Sequence, residues 1–136
     1  MAPDLVLTGA AGWFGRALLD RLRREPGLHA AGRVRVVVAA PLQVPDVLSV
    51  HPDVEVFVGD ISDEAFVGTV LSGASGAVLV HAAGVIHPAR VADFERINAD
   101  GTRVVVAAAE QAGIRRLVHI SSNSPFGANP RPDDLF

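Results

Sequence analysis

Five short apolar segments, separated by longer stretches of helical character, constrain the fold of this chain more than any other feature. Each segment is rich in Val, Ile or Leu and is bounded by Gly, Pro, Asp or Ser, a pattern typical of strands buried on both faces of a sheet. The five predicted strands are DLVLTG (4–9), RVRVVVAA (33–40), VEVFVGD (54–60), GAVLVHAAG (76–84) and RRLVHISS (115–122).

Helical segments lie between these strands. Residues 13–24 carry apolar side chains at the spacing of an amphipathic helix, residues 63–71 begin with residues that can cap a helix, and residues 89–112 end before Gly113, which can also cap one. The prolines of residues 41–53 predict at most a broken helix there. Strands that alternate with helices predict parallel strands joined by right-handed crossovers. We therefore predict an α/β protein with a doubly wound parallel sheet.

The composition limits the class of protein. A chain of 136 residues is the size of one domain, so residues 1–136 are expected to form a single unit. Although 49% of the residues are hydrophobic, no apolar run approaches the roughly 18 residues needed to cross a bilayer, and the N-terminus lacks the pattern of a secretion signal. The lack of cysteine and the net charge of -3 favour a cytoplasmic protein without a nucleic-acid or membrane partner.

Three glycines follow the first strand at the spacing G-x-x-G-x-x-G, at the head of the first helix. We expect Gly9 to allow a tight turn out of the strand, Gly12 to leave room for a pyrophosphate, and Gly15 to let the helix pack closely. The N–H groups at the helix N-terminus, including those of Trp13 and Phe14, would then face the phosphates. The alternative is a tight turn that binds no ligand.

Five motifs, in this order along the chain, resemble those of the extended short-chain dehydrogenases/reductases, the group of nucleotide-sugar epimerases, dehydratases and 3β-hydroxysteroid-type dehydrogenases. The motifs are TGAAGWFG, GDISD, VHAAG, INADGT and VHISSNSPFG. The resemblance covers nearly the whole chain. It implies an NAD(P)-binding domain of Rossmann type with strand order 3-2-1-4-5, ending before the later strands of the family. The complete enzyme would oxidise, reduce or epimerise a small-molecule secondary alcohol by hydride transfer. The substrate would be a sugar nucleotide or a 3β-hydroxysteroid-like compound, and a homo-oligomer is left open.

The resemblance also assigns roles to single residues. Asp60 would hydrogen-bond the adenine amino group, and Ile61 would lie against the ring. In the catalytic half, Ser122 would contact the substrate hydroxyl and Asn98 would order the backbone near the floor of the site. The other implied cofactor contacts are Ala82, Ala83, Gly84 and Ser121.

The polar residues among these have structural alternatives. Asp60 can serve as a turn or cap residue, Asn98 can cap or kink a helix, and Ser122 can bond local backbone at the end of a strand. The histidines suggest no metal site. His81 and His87 are expected at the edge of the pocket, where His87 could touch substrate.

The end of the second strand does not choose between NAD and NADP. An acidic residue there would hold the ribose 2′-hydroxyl, and an arginine would favour a 2′-phosphate. Ala39, Ala40 and Pro41 supply neither group, so the expected cofactor is NAD or NADP.

The proton-transfer pair of the resembled family is missing from these 136 residues. In that family a Tyr-x-x-x-Lys pair follows the serine, with tyrosine as general acid or base, whereas this chain contains neither residue type. Asn123 and Ser124 replace acidic residues of the dehydratases, which disfavours a 4,6-dehydratase. Phe126 replaces a tyrosine common in sugar epimerases, which weakens the case for a nucleotide-sugar substrate. Three interpretations stay open: the cofactor-binding part of a hydride-transferring enzyme, inactive alone; a non-catalytic NAD(P)-binding sensor or regulatory module; or a gene remnant.

Overall fold

Five parallel strands form the centre of the molecule. A computed structural model describes residues 3–25, 27 and 32–122. The strands are β1 (Pro3–Thr8), β2 (Arg33–Val38), β3 (Glu55–Val58), β4 (Val78–His81) and β5 (Arg116–His119). Their order across the sheet is β3-β2-β1-β4-β5, which confirms the predicted α/β class and the strand order 3-2-1-4-5.

Helices connect the strands and cover both faces of the sheet. The α-helices described are α1 (Trp13–Arg24), α2 (Val44–Val50), α3 (Glu64–Leu71) and α4 (Gly101–Gln111). The proline-containing link folds as the predicted broken helix, because a 3-10 turn, Pro41–Gln43, precedes the short α2. Within the ranges that the structure describes, no helix is long and apolar enough to cross a membrane.

Two helix boundaries follow predicted capping residues, and one helix begins differently from the prediction. Asp63 caps α3 by accepting hydrogen bonds from two first-turn amides at 2.9 and 3.1 Å, and Gly113 (φ +71°) ends α4. The helix predicted over 89–112 instead opens with a π-helical segment, Phe94–Asp100, that leads directly into α4. Such wider turns are frequent at functional sites, and here the segment carries Asn98.

Hydrophobic side chains pack against both faces of the sheet. On one face Leu7 of β1 packs in a cluster with Leu19 of α1, and on the other Val6 packs in a cluster with Val105 of α4. All four are at most 1% exposed, and burying each contributes about 1.5–3 kcal/mol. The strands therefore read as continuous apolar runs because successive residues enter two different cores.

The register of the strands aligns their carboxyl ends at one edge. Thr8 pairs with His81 across β1 and β4, and His81 pairs with His119 across β4 and β5. On the other side of β1, Val38 pairs with Val58 across β2 and β3. Ligands of open α/β sheets bind outside these carboxyl ends, where the strand order reverses, which here is between β1 and β4.

Candidate functional site

Two adjoining cavities lie at the carboxyl edge of the sheet, and residues 82–85 border both. The first has a volume of about 390 Å³ and the second about 810 Å³. The predicted residues that line the first cavity are Gly9, Gly12, Asp60, Ile61, Ala82, Ala83 and Gly84. Those that line the second are Ala82, Ala83, Gly84, Asn98, Ser121 and Ser122.

The glycine loop packs tightly against the chain that leaves β4. Gly9 has φ +73°, and a Cβ there would lie 2.6 Å from the backbone of Ala82 and Ala83. A Cβ at Gly15 would lie 2.3 Å from the carbonyl oxygen of Gly9. Gly9 thus makes the predicted tight turn and also allows the exit of a second strand to approach. Gly15 lets α1 begin directly against the loop itself.

The N-terminus of α1 has the features of an anion site. Gly12 is the N-cap residue, no side chain caps the first turn, and that turn has no acidic residue. The amides of Trp13 and Phe14 therefore have no side-chain acceptor at their end of the helix. Their side chains line neither cavity, and Trp13 is 84% exposed. A Cβ on Gly12 would meet only the Gly9 carbonyl oxygen, at 3.2 Å. The space bordered by Gly9, Gly12 and the first amides of α1, called the pyrophosphate cradle below, therefore fits the pyrophosphate of a dinucleotide.

Asp60 follows β3 and reaches the first cavity with an ionised carboxylate. Its Oδ1 accepts hydrogen bonds from the amide and the hydroxyl of Ser62, at 2.8 and 2.7 Å, and its Oδ2 pairs with the guanidinium of Arg96. Burial raises the pKa of Asp60, but the hydrogen bonds from Ser62 and Arg96 outweigh it and hold that pKa below its ordinary value. Asp60 therefore does form a local turn, while its contact with adenine stays a prediction. The adjacent Ile61 is 6% exposed and packs in the core.

Two further residues on the first cavity were not predicted from the sequence. Arg96 lies on the π-helical segment and pairs with Asp60, 36 positions away. Because the two residues are far apart in the sequence, no local sequence pattern predicts this ion pair. Gln43 accepts hydrogen bonds at Oε1 from the amides of Ala39 and Ala40, at 2.9 and 3.1 Å, and so fixes the end of β2. Gln43 lies four residues after Ala39 and three after Ala40, and this short spacing is the sequence signal that could have predicted the two hydrogen bonds.

A buried hydrogen-bond network joins β1, β4 and α4 beneath the two cavities. Thr8 Oγ1 accepts from the amides of Ala82 and Ala83, both at 3.2 Å, and lies 2.7 Å from Nδ1 of His81. Because both Thr8 lone pairs are used by amides, its hydroxyl donates to Nδ1. The imidazole proton then sits on Nε2 and is donated to Thr102 Oγ1 at 2.9 Å.

The same network corrects the expectation that His81 lies at the pocket edge. His81 is fully buried, lines neither cavity, and its ring stacks on that of His119 with a centroid separation of 5.2 Å. Burial, with a contribution from the charge of His119, lowers the pKa of His81 to about 4. His81 is therefore a neutral structural group. The other histidine expected there, His87, is exposed and lines neither cavity.

Asn98 orders the turn that borders both cavities. Its Oδ1 accepts from the amide of Val85 and its Nδ2 donates to the Val85 carbonyl, both at 2.8 Å. A Cβ on Gly84 would lie 3.2 Å from Asn98 Oδ1, so a small residue suits that position. This paired contact holds the backbone of Val85, and the part of Asn98 in an active site stays a prediction.

The end of β5 supplies the far wall of the second cavity. Ser121 and Ser122 lie there with His119 and with Thr102 of α4. The residues that bear on the predicted substrate class, Asn123, Ser124 and Phe126, lie outside the described residues. Among the described side chains, no group of three or more His, Asp or Glu is arranged to hold a metal ion.

Comparison with known proteins shows the family. The model of the NAD dependent epimerase/dehydratase family matches residues 5–135, and the chain belongs to that family. The Uncharacterized protein y4nL of Sinorhizobium fredii is 44% identical, over 99% of this chain and 39% of that protein. A 3-beta-hydroxysteroid dehydrogenase of Mycolicibacterium neoaurum is 31% identical, over 88% of this chain and 32% of that protein.

A solved structure agrees with the fold. The dTDP-glucose 4,6-dehydratase of Streptomyces venezuelae, crystallised as a double mutant with NAD bound, has a TM-score of 0.75 and 25% identity. The match covers 93% of this chain and 42% of that one. The resemblance to the extended short-chain dehydrogenases/reductases is thereby confirmed, and the chain spans 32% to 39% of the two curated relatives named above.

Proposed function

We propose that the chain binds NAD(P) across the first cavity and forms the cofactor-binding part of an enzyme acting on a secondary alcohol. The observation that carries this proposal is the uncapped N-terminus of α1, set behind glycines whose backbone leaves an open cradle. Amides and a helix dipole directed at one point favour an anion there. The NAD bound to the solved relative supports this choice of ligand.

The residues around the cradle suggest how the dinucleotide lies. Asp60 and Ile61 would hold the adenine end, Gly9, Gly12 and the first amides of α1 the pyrophosphate, and Ala82, Ala83 and Gly84 the other ribose. Asn98 would keep this last turn in place through Val85, and Ser121 would border the nicotinamide. Gln43 fixes the end of β2, and neither Ala39 nor Ala40 carries a charge that would choose between NAD and NADP, so the proposed cofactor is NAD or NADP.

The second cavity would hold the reacting part of the substrate. The bound nicotinamide would supply hydride transfer. The hydroxyl of Ser122 would orient the substrate hydroxyl or carbonyl by hydrogen bonding. Because none of these 136 residues is Tyr or Lys, we propose that the chain alone does not move the substrate proton and is inactive. The substrate class of the complete enzyme would be a sugar nucleotide or a 3β-hydroxysteroid-like alcohol.

Binding of NADH tests this proposal directly. Trp13 is the only tryptophan and stands beside the pyrophosphate cradle, so NADH should quench its fluorescence on binding. Gly12→Val should lower the affinity for NADH at least about tenfold, because the side chain enters the cradle. Gly68→Ala is the matched control, since a Cβ there meets nothing within 4 Å. Equal affinities in the Gly12 variant and the control would rule out the pyrophosphate assignment.

Turnover tests the second part of the proposal. With NAD and a panel of secondary alcohols, the chain should bind the cofactor without reducing it. Cofactor reduction by the chain alone would contradict the proposed inactivity and leave the binding proposal intact. Tight binding of NADH by a stable monomer, with no turnover by this chain or by a longer protein that contains it, would favour the sensor interpretation.

A further inference from the structure

Arg96 joins the helical side of the first cavity to the exit of β3. From the π-helical segment its guanidinium pairs with Oδ2 of Asp60 and donates from Nη1 to the hydroxyl of Ser62 at 3.1 Å. Its Nε donates to Asp93 at 3.1 Å. The guanidinium is thus held from two sides, although the side chain is 41% exposed.

The hydrogen bonds of Asp60 leave one acceptor position. A carboxylate offers about four lone-pair positions. Ser62 occupies two of them on Oδ1, through its amide and its hydroxyl, and Arg96 occupies one on Oδ2. Because both oxygens are held by fixed donors, rotation of the carboxylate is restrained, and the remaining position lies on Oδ2. Both Asp60 and Arg96 line the first cavity.

We propose that Arg96 is a positioning residue that orients Asp60 so that its remaining acceptor position selects the 6-amino group of adenine. This inference rests on the proposed placement of adenine at Asp60. An amino group at that position donates to the carboxylate, whereas the carbonyl oxygen of hypoxanthine is repelled by it. Without Arg96 only Ser62 still holds the carboxylate, through Oδ1, so Oδ2 can turn toward water and the preference for an amino group at position 6 of the base is lost.

The ionic state of the pair is consistent with this role. The hydrogen bonds that Arg96 donates to Asp60 and to Asp93 raise its pKa, and the pKa of Asp60 lies below its ordinary value. The pair is therefore charged throughout the neutral range. A single ion pair of this exposure contributes little to stability, so its main effect is on the orientation of the carboxylate.

The test compares NAD with nicotinamide hypoxanthine dinucleotide, which differs at position 6 of the base. The unmodified chain should bind NAD about tenfold more tightly, the amount expected for a hydrogen bond to a charged group. Arg96→Met should reduce this preference to about twofold by weakening NAD binding while leaving the affinity for the hypoxanthine compound nearly unchanged. Arg103→Met is the matched control, since Arg103 is an exposed arginine of α4 that pairs with Asp100.

Two further variants separate the possible outcomes. Asp60→Asn should remove the preference, and Asp60→Asn combined with Arg96→Met should behave like Asp60→Asn alone, because Arg96 acts through Asp60. If Asp60→Asn keeps the preference, the adenine assignment in the proposed function fails. Asp60→Asn could instead remove the preference for NAD while Arg96→Met keeps that preference or weakens the binding of both dinucleotides equally. In that case only the role of Arg96 is overturned.

Discussion

The two cavities share one wall but differ in how firmly their other walls are built. The first is lined by Val37 and Val38 of the central sheet, which are 3% and 2% exposed, and by the salt-bridged Asp60 and Arg96. The second is lined by Ile86, which is 81% exposed, and by the end of the edge strand β5. The first cavity is thus bordered in part by the buried core of the sheet, whereas part of the wall of the second is formed by exposed side chains.

The largest effect is expected where the glycine loop of the first cavity meets the backbone that follows β4. Gly9→Ala combines a left-handed φ of +73° with a Cβ 2.6 Å from the Ala82 and Ala83 backbone. We expect a loss of about 3–5 kcal/mol in the free energy of unfolding, measured by chemical denaturation. Gly68→Ala, in open space on α3, should be neutral or slightly stabilising. Similar stabilities for the two variants would show that the loop is loosely packed.

An intermediate effect is expected from pH, through His81 beneath both cavities. Its pKa is about 4 in the folded chain, against 6.5 for an ordinary histidine. The unfolded chain therefore binds more protons between these values, so stability is complete above about pH 6.5 and falls as the pH drops toward 4. The loss should be about 1–3 kcal/mol.

Denaturation at several pH values measures this dependence. His81→Asn should flatten the profile between about pH 6.5 and 4, whereas the exposed His87→Asn should leave it unchanged. His119 faces His81 and repels its charged form, so His119→Asn should reduce the slope only in part. A profile that is flat in the unmodified chain would show that His81 is not the buried neutral group described above.

The smallest effects compare one substitution at Val37, on the wall of the first cavity, and at Val118 of β5, the strand whose end borders the second cavity. Val37→Thr places a hydroxyl at a position that is 3% exposed and should cost about 1–2 kcal/mol. Val118→Thr makes the same change on β5, at 40% exposure, and should cost less than about 0.5 kcal/mol. Thermal unfolding of both variants measures the difference, and equal costs would mean that β2 and β5 are equally well packed at these two positions.

Much of this fold was predictable because its signals are local. Each strand is a short apolar run, α1 has helical spacing, and Asp63 and Gly113 cap helices by contacts within a few residues. The start of the helix that contains Asn98 was predicted wrongly. Its π-helical turns accompany a hydrogen bond between Asn98 and Val85, 13 residues away. The spacing of apolar residues along the helix does not predict such a contact.

The candidate site was predictable to a lesser extent. The glycine loop and Asp60 could be found, because the backbone geometry of a phosphate loop and the end of a strand leave marks in the sequence. Arg96 and the Thr8–His81–Thr102 network could not, since their partners lie 21 to 73 residues apart. His81 was placed at the pocket edge for this reason, whereas the structure buries it completely.

The sequence by itself determined that strands and helices alternate and that glycines at 9, 12 and 15 form a loop at the head of a helix, because propensity, periodicity and the small size of glycine act over a few residues. Only the tertiary structure decided that Arg96 meets Asp60, that His81 is neutral and buried, and that residues 82–85 divide two cavities. Those features depend on parallel strands bringing distant segments to a common edge, where burial and hydrogen bonding set the charge and orientation of each side chain.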